Sequence, residues 1–369
     1  MTILNLTPAQ QDLVHTRFRM TGIPAEFAHR FDDDQLDNLE GYVDGHAINT
    51  LKSLRRDLGR WFPWCLARGI DPFSPAARDV RDFLRAFGCG RHPDSLRRML
   101  SNINVFLTRI VGGPNVTSCE MVHAEIAKTA RAWSGDHRQA LAIRRRGDVT
   151  HIEDEPEPFS ISRMVDALEP YSTVREIRSR FILSLGGDTG RRAAEYMAAT
   201  MGDITEAENG EGLFVVVRSK TDQEGEGITK LLSVRTMRFY RQWRSALAER
   251  GVDIGPASPL LRGINMHGTV GTCLWPSGFR YVVRCAVREA LRLIDAGEGV
   301  IDYNAIALQV GGHSFRVGLA QDLAQAGEGM PAICNEGGWK DDRSVIKYVR
   351  NIAPQSGAMA RLRRRLGDE

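Results

Sequence analysis

Leucine and aromatic residues recur every three or four positions through much of the first third of the chain, the spacing that puts side chains on one face of an α-helix. Leu51, Leu54, Leu58, Trp61 and Phe62 make one such stripe, and Leu96, Leu100, Ile103, Phe106 and Leu107 make another. Breaks rich in glycine and proline, at Gly69-Ile70-Asp71-Pro72, Gly88-Cys89-Gly90 and Gly112-Gly113-Pro114, separate the helices. The pattern predicts a small helical bundle over residues 23–133. Residues 1–22 are mixed in character and are expected to form a weakly packed arm. Over 134–158 periodicity gives way to charge, glycine and two prolines, which predicts an exposed linker. A mostly helical second domain follows over 159–369, with one interruption. Leu213-Phe214-Val215-Val216-Val217-Arg218-Ser219-Lys220 is β-branched and aromatic, and a turn with Gly225 and Gly227 separates it from Ile228-Thr229-Lys230-Leu231-Leu232-Ser233-Val234. Two such runs predict a β-hairpin with Lys220 at or near its turn. The expected fold is therefore mainly α, in two domains, the second mixed α/β through a small hairpin or sheet.

Length agrees, because 369 residues exceed what one hydrophobic core usually serves. Six cysteines, at 65, 89, 119, 273, 285 and 334, include no Cys-x-x-Cys pair, which argues against a zinc site or a disulfide framework and for thiols in a reducing compartment. No apolar stretch approaches a membrane span, and the first residues lack the layout of a secretion signal. A soluble, cytoplasmic protein is expected, nucleoid-associated if the host is a bacterium. The formal net charge of +3 is uninformative, but its distribution is not. Arginines cluster at 55, 56 and 60; 97 and 98; 144–146; 280, 284 and 288; and 361 and 363–365, while acidic runs such as Asp32-Asp33-Asp34 stand apart. One cluster alone is commonly a solvated helix face. Beside residues suited to phosphate, the set points to DNA.

Those residues lie in four segments: Thr189-Gly190-Arg191-Arg192-Ala193-Ala194-Glu195, Arg218-Ser219-Lys220-Thr221, His313-Ser314-Phe315-Arg316, and Gly337-Gly338-Trp339 followed by Tyr348-Val349-Arg350-Asn351. A phosphodiester carries a full negative charge, so its displacement depends on positioning and on positive charge at the non-bridging oxygens. A guanidinium stays protonated and can give a phosphate two parallel hydrogen bonds. Arg192 and Arg316 suit that task, each three residues from a partner, Glu195 and His313, on the same predicted helix face. A phenol has a pKa of about 10, so Tyr348 needs a proton acceptor or nearby positive charge to act as a nucleophile. Taken singly, these residues have ordinary readings: Tyr348 sits with Val345, Ile346, Val349 and Ile352 on an apolar helix stripe, and a tryptophan after two glycines is a common packing anchor.

Taken together and in order, the four segments resemble the tyrosine site-specific recombinases of the phage integrase family. The resemblance implies a two-domain DNA clamp, with a helical, SAM-like core-binding domain ahead of the catalytic domain. It implies cutting and rejoining of DNA through a covalent 3′-phosphotyrosine at a palindromic site, with neither a metal, a nucleotide nor another cofactor. Arg192, Glu195, Lys220, His313, Arg316, Trp339 and Tyr348 are then the catalytic set. Tyr348 is the nucleophile, Arg192 and Arg316 the phosphate clamp, His313 the acceptor of the phenol proton and Lys220 the general acid on the leaving oxygen. Glu195 braces the clamp, and Trp339 offers an indole donor.

The same residues leave open a type IB topoisomerase-like relaxation activity and a catalytically silent DNA-binding protein. A serine hydrolase elbow fails, because Gly312-His313-Ser314-Phe315-Arg316 ends in arginine. For DNA contacts the candidates are Lys52, Arg98 and Asn102 in the first domain, and Arg280, Arg284 and Arg288, four residues apart on one helix face, in the second. The partners expected are double-stranded DNA with inverted-repeat arms and further copies of the chain, as a tetramer of two dimers on two sites, with no membrane. Met359, Leu362 and Leu366 share a face of a short terminal helix, which the resemblance makes a connector between subunits.

Overall fold

The computed structural model describes residues 8–133, 140–147, 155–216 and 227–350, and near the carboxyl terminus residues 359, 362–363 and 366–367. The chain divides into two units, Met1–Arg138 and Gln139–Glu369, each around its own core.

The first unit contains α1 (Pro8–Thr21), α2 (Asp33–Asp44), α3 (Ile48–Leu66), α4 (Ala77–Gly88), α5 (Pro93–Asn104) and α6 (Glu120–Ala132). The two stripes read from the sequence are the core faces of α3 and α5. Leu54, Leu58, Trp61 and Phe62 are fully buried, and α5 runs into a π-helical turn, Val105–Ile110, that brings Phe106 into the same core. Its centre is aromatic: the rings of Phe62, Phe73 and Phe106 lie with centroids 5.3–5.9 Å apart, mostly edge to face, a favoured arrangement of ring quadrupoles. The expected arm over 1–22 is corrected for residues 8–21. They form α1, which packs on α3 through Val14 and Phe18, one helical turn apart and both buried.

The second unit is built around α8 (Val174–Thr189), which follows α7 (Ile161–Leu168). Helix α8 is buried on nearly every side, so it shows little amphipathic pattern. Even its Arg178 and Arg180 are interior, donating to the carbonyls of Arg262 (2.8 Å) and Leu168 (2.7 Å). After α9 (Ala193–Ala198) comes an antiparallel sheet of β1 (Ile204–Glu206), β2 (Gly212–Val216) and β3 (Ile228–Leu232), in that order. The sequence had indicated β2 and β3; β1 is too short to carry a pattern of its own. Val215 pairs with Thr229 across the hairpin, and residues 217–226, including Arg218, Lys220 and Gly225, lie outside the described residues. Helices α10 (Val234–Ala248), α11 (Pro276–Asp295), α12 (Tyr303–Gln309), α13 (Ser314–Ala326), α14 (Met330–Gly337) and α15 (Asp342–Val349) complete the unit.

The expected exposed linker also needs correction over its described residues 140–147. Ile143 is buried in the second core, and its N–H donates to the Ser314 carbonyl at 3.1 Å. Arg144 is buried against Asp322 at 2.9 Å, and Arg145 bonds Asp188 at 2.9 Å. The positive run at 144–146 is thus built into the unit that follows it.

Candidate active site

Three chain segments meet at the carboxyl end of α8. That helix stops at Gly190, whose backbone is left-handed (φ 55°), and the chain turns so that Arg191 and Arg192 lead into α9. Arg192 is the residue capping α9 rather than a member of its face. Its partner is still the expected one: Arg192 Nη1 donates to Glu195 Oε1 at 2.8 Å, and the Arg192 backbone N–H donates to Glu195 Oε2 at 3.1 Å. Glu195 is buried and accepts from both the backbone and the guanidinium of Arg192, so its carboxylate holds the arginine at the start of α9.

Helix α13 brings the second arginine. It crosses α8 closely enough that a Cβ at Gly186 would lie 2.6 Å from the Phe315 ring, so only glycine permits this approach. Arg316, one turn into α13, is buried beside the end of α8. Its Nη2 donates to the Gly338 carbonyl at 3.2 Å, and its guanidinium lies 4.2 Å from the centroid of the Trp339 ring, in cation–π contact. Burial, with the guanidiniums of Arg192 and Arg191, pulls Arg316 down to about 10, which still leaves it protonated at neutral pH. His313 is exposed and caps α13, so it too stands at a helix start and not on a helix face.

The third segment runs from α14 through Gly337, Gly338 and Trp339 into α15. Tyr348, in the last turn of α15, is half-buried, with its ring centroid 6.0 Å from that of Trp339. Its carbonyl accepts from Gln321 Nε2 of α13 at 3.0 Å. A small apolar cluster of Ala320, Ile333 and Val345 ties α13, α14 and α15 together beneath these residues. Ile346, placed on the buried stripe by the sequence, is 46% exposed; Ile352 lies outside the described residues. The fold therefore brings Arg192, Glu195, Arg316, Trp339 and Tyr348 to one junction, with His313 at its edge.

Two neighbouring cations escaped sequence reasoning. Arg191 is buried, donating from Nε to the Thr189 carbonyl (3.0 Å) and from Nη2 to the Glu336 carbonyl (2.7 Å). Lys230, an inward position of β3, is buried and bonded to Glu336 Oε1 at 2.9 Å. The alternation of β3 was the available signal for Lys230; Arg191 offered only its adjacency to Arg192.

The candidate DNA contacts fare unevenly. Lys52, Arg280 and Arg288 are exposed. Asn102 is corrected: it is buried, with its amide bonded to Asp57 at 2.7 Å and Ser53 at 3.2 Å. Arg98 is half-buried and bonded to the same buried Asp57 carboxylate at 2.6 Å. Arg284 does not project with Arg280 and Arg288, because it donates to the carbonyls of Val310 (2.8 Å) and Leu308 (2.5 Å) just past α12.

No family model matches the chain. Recombinase cre of Escherichia phage P1 is 26% identical over 323 residues, covering 85% of this chain and 87% of its own length. Among solved structures, XerH site-specific recombinase in its post-cleavage complex with palindromic difH substrate aligns with a TM-score of 0.56 and 12% identity, over 99% of this chain and 91% of that one. The Tn1549 transposon integrase in complex with transposon right end DNA aligns with a TM-score of 0.52 and 13% identity, over the full length of both chains. The two solved structures share the fold, and the sequence relationship spans both units: the chain is similar to recombinase cre in sequence and has the fold of the XerH recombinase and the Tn1549 integrase.

Proposed function

We propose that this chain recombines DNA at a specific palindromic site through a covalent 3′-phosphotyrosine on Tyr348. The observation that carries the reading is the meeting of Arg192, Arg316, Trp339 and Tyr348 at one junction of the second unit. Arg192 and Arg316 clamp the non-bridging oxygens of the scissile phosphate, each held in place by an acceptor behind it. The Tyr348 phenolic oxygen forms a bond to phosphorus as the bond to the 5′-oxygen breaks. The phenol proton passes to His313, and Lys220 supplies the proton that the departing 5′-oxygen takes up. Rejoining reverses these steps with a 5′-hydroxyl from the exchanged strand, so the phosphotyrosine conserves the energy of the broken linkage.

Specific binding falls to exposed positions such as Lys52, Arg280 and Arg288, with most affinity from phosphate contacts. Exchange between two sites needs four copies of the chain, and the terminal segment with Met359, Leu362 and Leu366, all exposed, suits contact between them.

The decisive test is Tyr348→Phe on a nicked substrate that traps the covalent complex. Loss of the protein–DNA adduct with specific binding retained is expected, since only one hydroxyl is removed from a large charged interface. An adduct formed by the Phe variant would sink the assignment.

A further inference from the structure

Arg191 is a buried cation beside the junction that the proposed clamp leaves unused, and like Arg316 it has no hydrogen-bonded carboxylate. Arg192 faces the Glu195 carboxylate and Lys230 faces the Glu336 carboxylate, so each of those cations is matched by an anion. The side-chain hydrogen bonds of Arg191 go to two carbonyls, those of Thr189 and Glu336. Carbonyls satisfy N–H groups without cancelling charge. Its Nη1 is buried and has no hydrogen-bond partner among the described residues, an arrangement that costs stability and calls for a reason.

The position of that nitrogen supplies one. A Cβ at Gly338, where the backbone is left-handed (φ 64°), would lie 3.0 Å from Arg191 Nη1, and the Gly338 carbonyl accepts from Arg316 Nη2. Gly338 is thus a thin wall with Arg191 and Arg316 both against it, and Trp339 follows directly. Burial pulls Arg191 below the usual guanidinium range, the nearby Glu195 and Glu336 carboxylates offset part of that fall, and the Arg192 charge adds to it. Arg191 nonetheless stays a cation at neutral pH.

We infer that Arg191 is a third cation of the scissile-phosphate site, a positioning residue that acts from behind Gly338 through its field on the bound phosphate and not by touching it. A buried guanidinium hydrogen-bonded only to carbonyls, whose nearby carboxylates are each paired with another cation, is more tolerable if a further anion arrives beside it, and the anion that this site takes is a DNA phosphodiester. The inference rests on the proposed cleavage at the Arg192 and Arg316 clamp and extends it by one residue.

The experiment compares two variants of the full chain. Arg191→Lys keeps the charge, whereas Arg191→Gln keeps an amide donor for the Glu336 carbonyl and loses the charge. Single-turnover cleavage is followed on a normal phosphodiester and on a methylphosphonate, whose scissile linkage carries no charge. On the phosphodiester the Lys variant should cleave at least about fivefold faster than the Gln variant, and on the methylphosphonate the gap should shrink to within about twofold. Equal rates on the phosphodiester, or the same gap on both substrates, would overturn the role of Arg191, because a packing defect does not distinguish the charge of the substrate. If neither variant cleaves the methylphosphonate, the phosphodiester comparison decides alone. Comparing one variant with the other removes any common loss of folding. Tyr348→Phe, run alongside, separates the two readings: an adduct there overturns the nucleophile assignment, whereas the Lys and Gln comparison bears on Arg191 alone.

Discussion

At the scale of single residues, the junction is built on arginines used in different ways. Arg192 is fixed by a buried carboxylate, and Arg316 is fixed by a carbonyl and an indole face. Both modes rely on the flat, forked guanidinium, which a lysine ammonium cannot imitate. Arg316→Lys would keep the charge and lose the stacking on Trp339 and the second donor. Its cleavage rate is expected to fall by about 10²–10³, as for loss of one preorganised donor to a developing charge. Specific DNA affinity should change little, because this is one contact among many. Single-turnover cleavage beside an equilibrium binding titration checks the separation, and equal losses in both would remove Arg316 from the clamp.

At the scale of elements, legibility followed the distance over which each feature is specified. The stripes of α3 and α5 were plain because a core face repeats locally. Arg192 with Glu195 and His313 with Arg316 were legible because each lies in a short motif that resembles a known family, and the three-residue spacing within each motif was read as one helix face, although both pairs sit at helix starts. The run at 144–146 misled, since the acceptor of Arg144, Asp322, lies 178 residues further on and no local pattern announces it. Helix α1 was missed because its buried face rests on little more than Val14 and Phe18. That small footprint can be measured. Phe18 is fully buried against Phe31, with centroids 5.0 Å apart, so Phe18→Ala should destabilise the first unit by about 3–5 kcal/mol. Denaturant unfolding of the first-unit signal checks this. A change near zero would mean that α1 contributes no packing and that the weakly packed arm was the better description.

At the scale of the whole molecule, the proposed recombination would join events on two DNA sites, so that interactions between copies would matter as much as the junction within one. Met359, Leu362 and Leu366 are 62%, 45% and 64% exposed, large apolar side chains left in solvent close to the end of the chain. Charged neighbours, Arg361 and Arg363 to Arg365, keep such a segment soluble until a complementary surface is offered. A head-to-tail exchange of this segment among four copies would close a ring and give each copy the same contact. Its contribution would then appear only when neighbouring DNA arms are filled. Deleting residues 356–369 is accordingly expected to leave binding to a single arm unchanged while abolishing cooperative filling of paired arms, and with it recombination between sites. Covalent adduct formation on a paired-arm trapping substrate should fall in step with the lost cooperativity. Gel-shift titrations on one-arm and two-arm DNA read the two effects separately, and a truncated chain that fills paired arms as cooperatively as the full chain would remove the terminal segment from subunit contact.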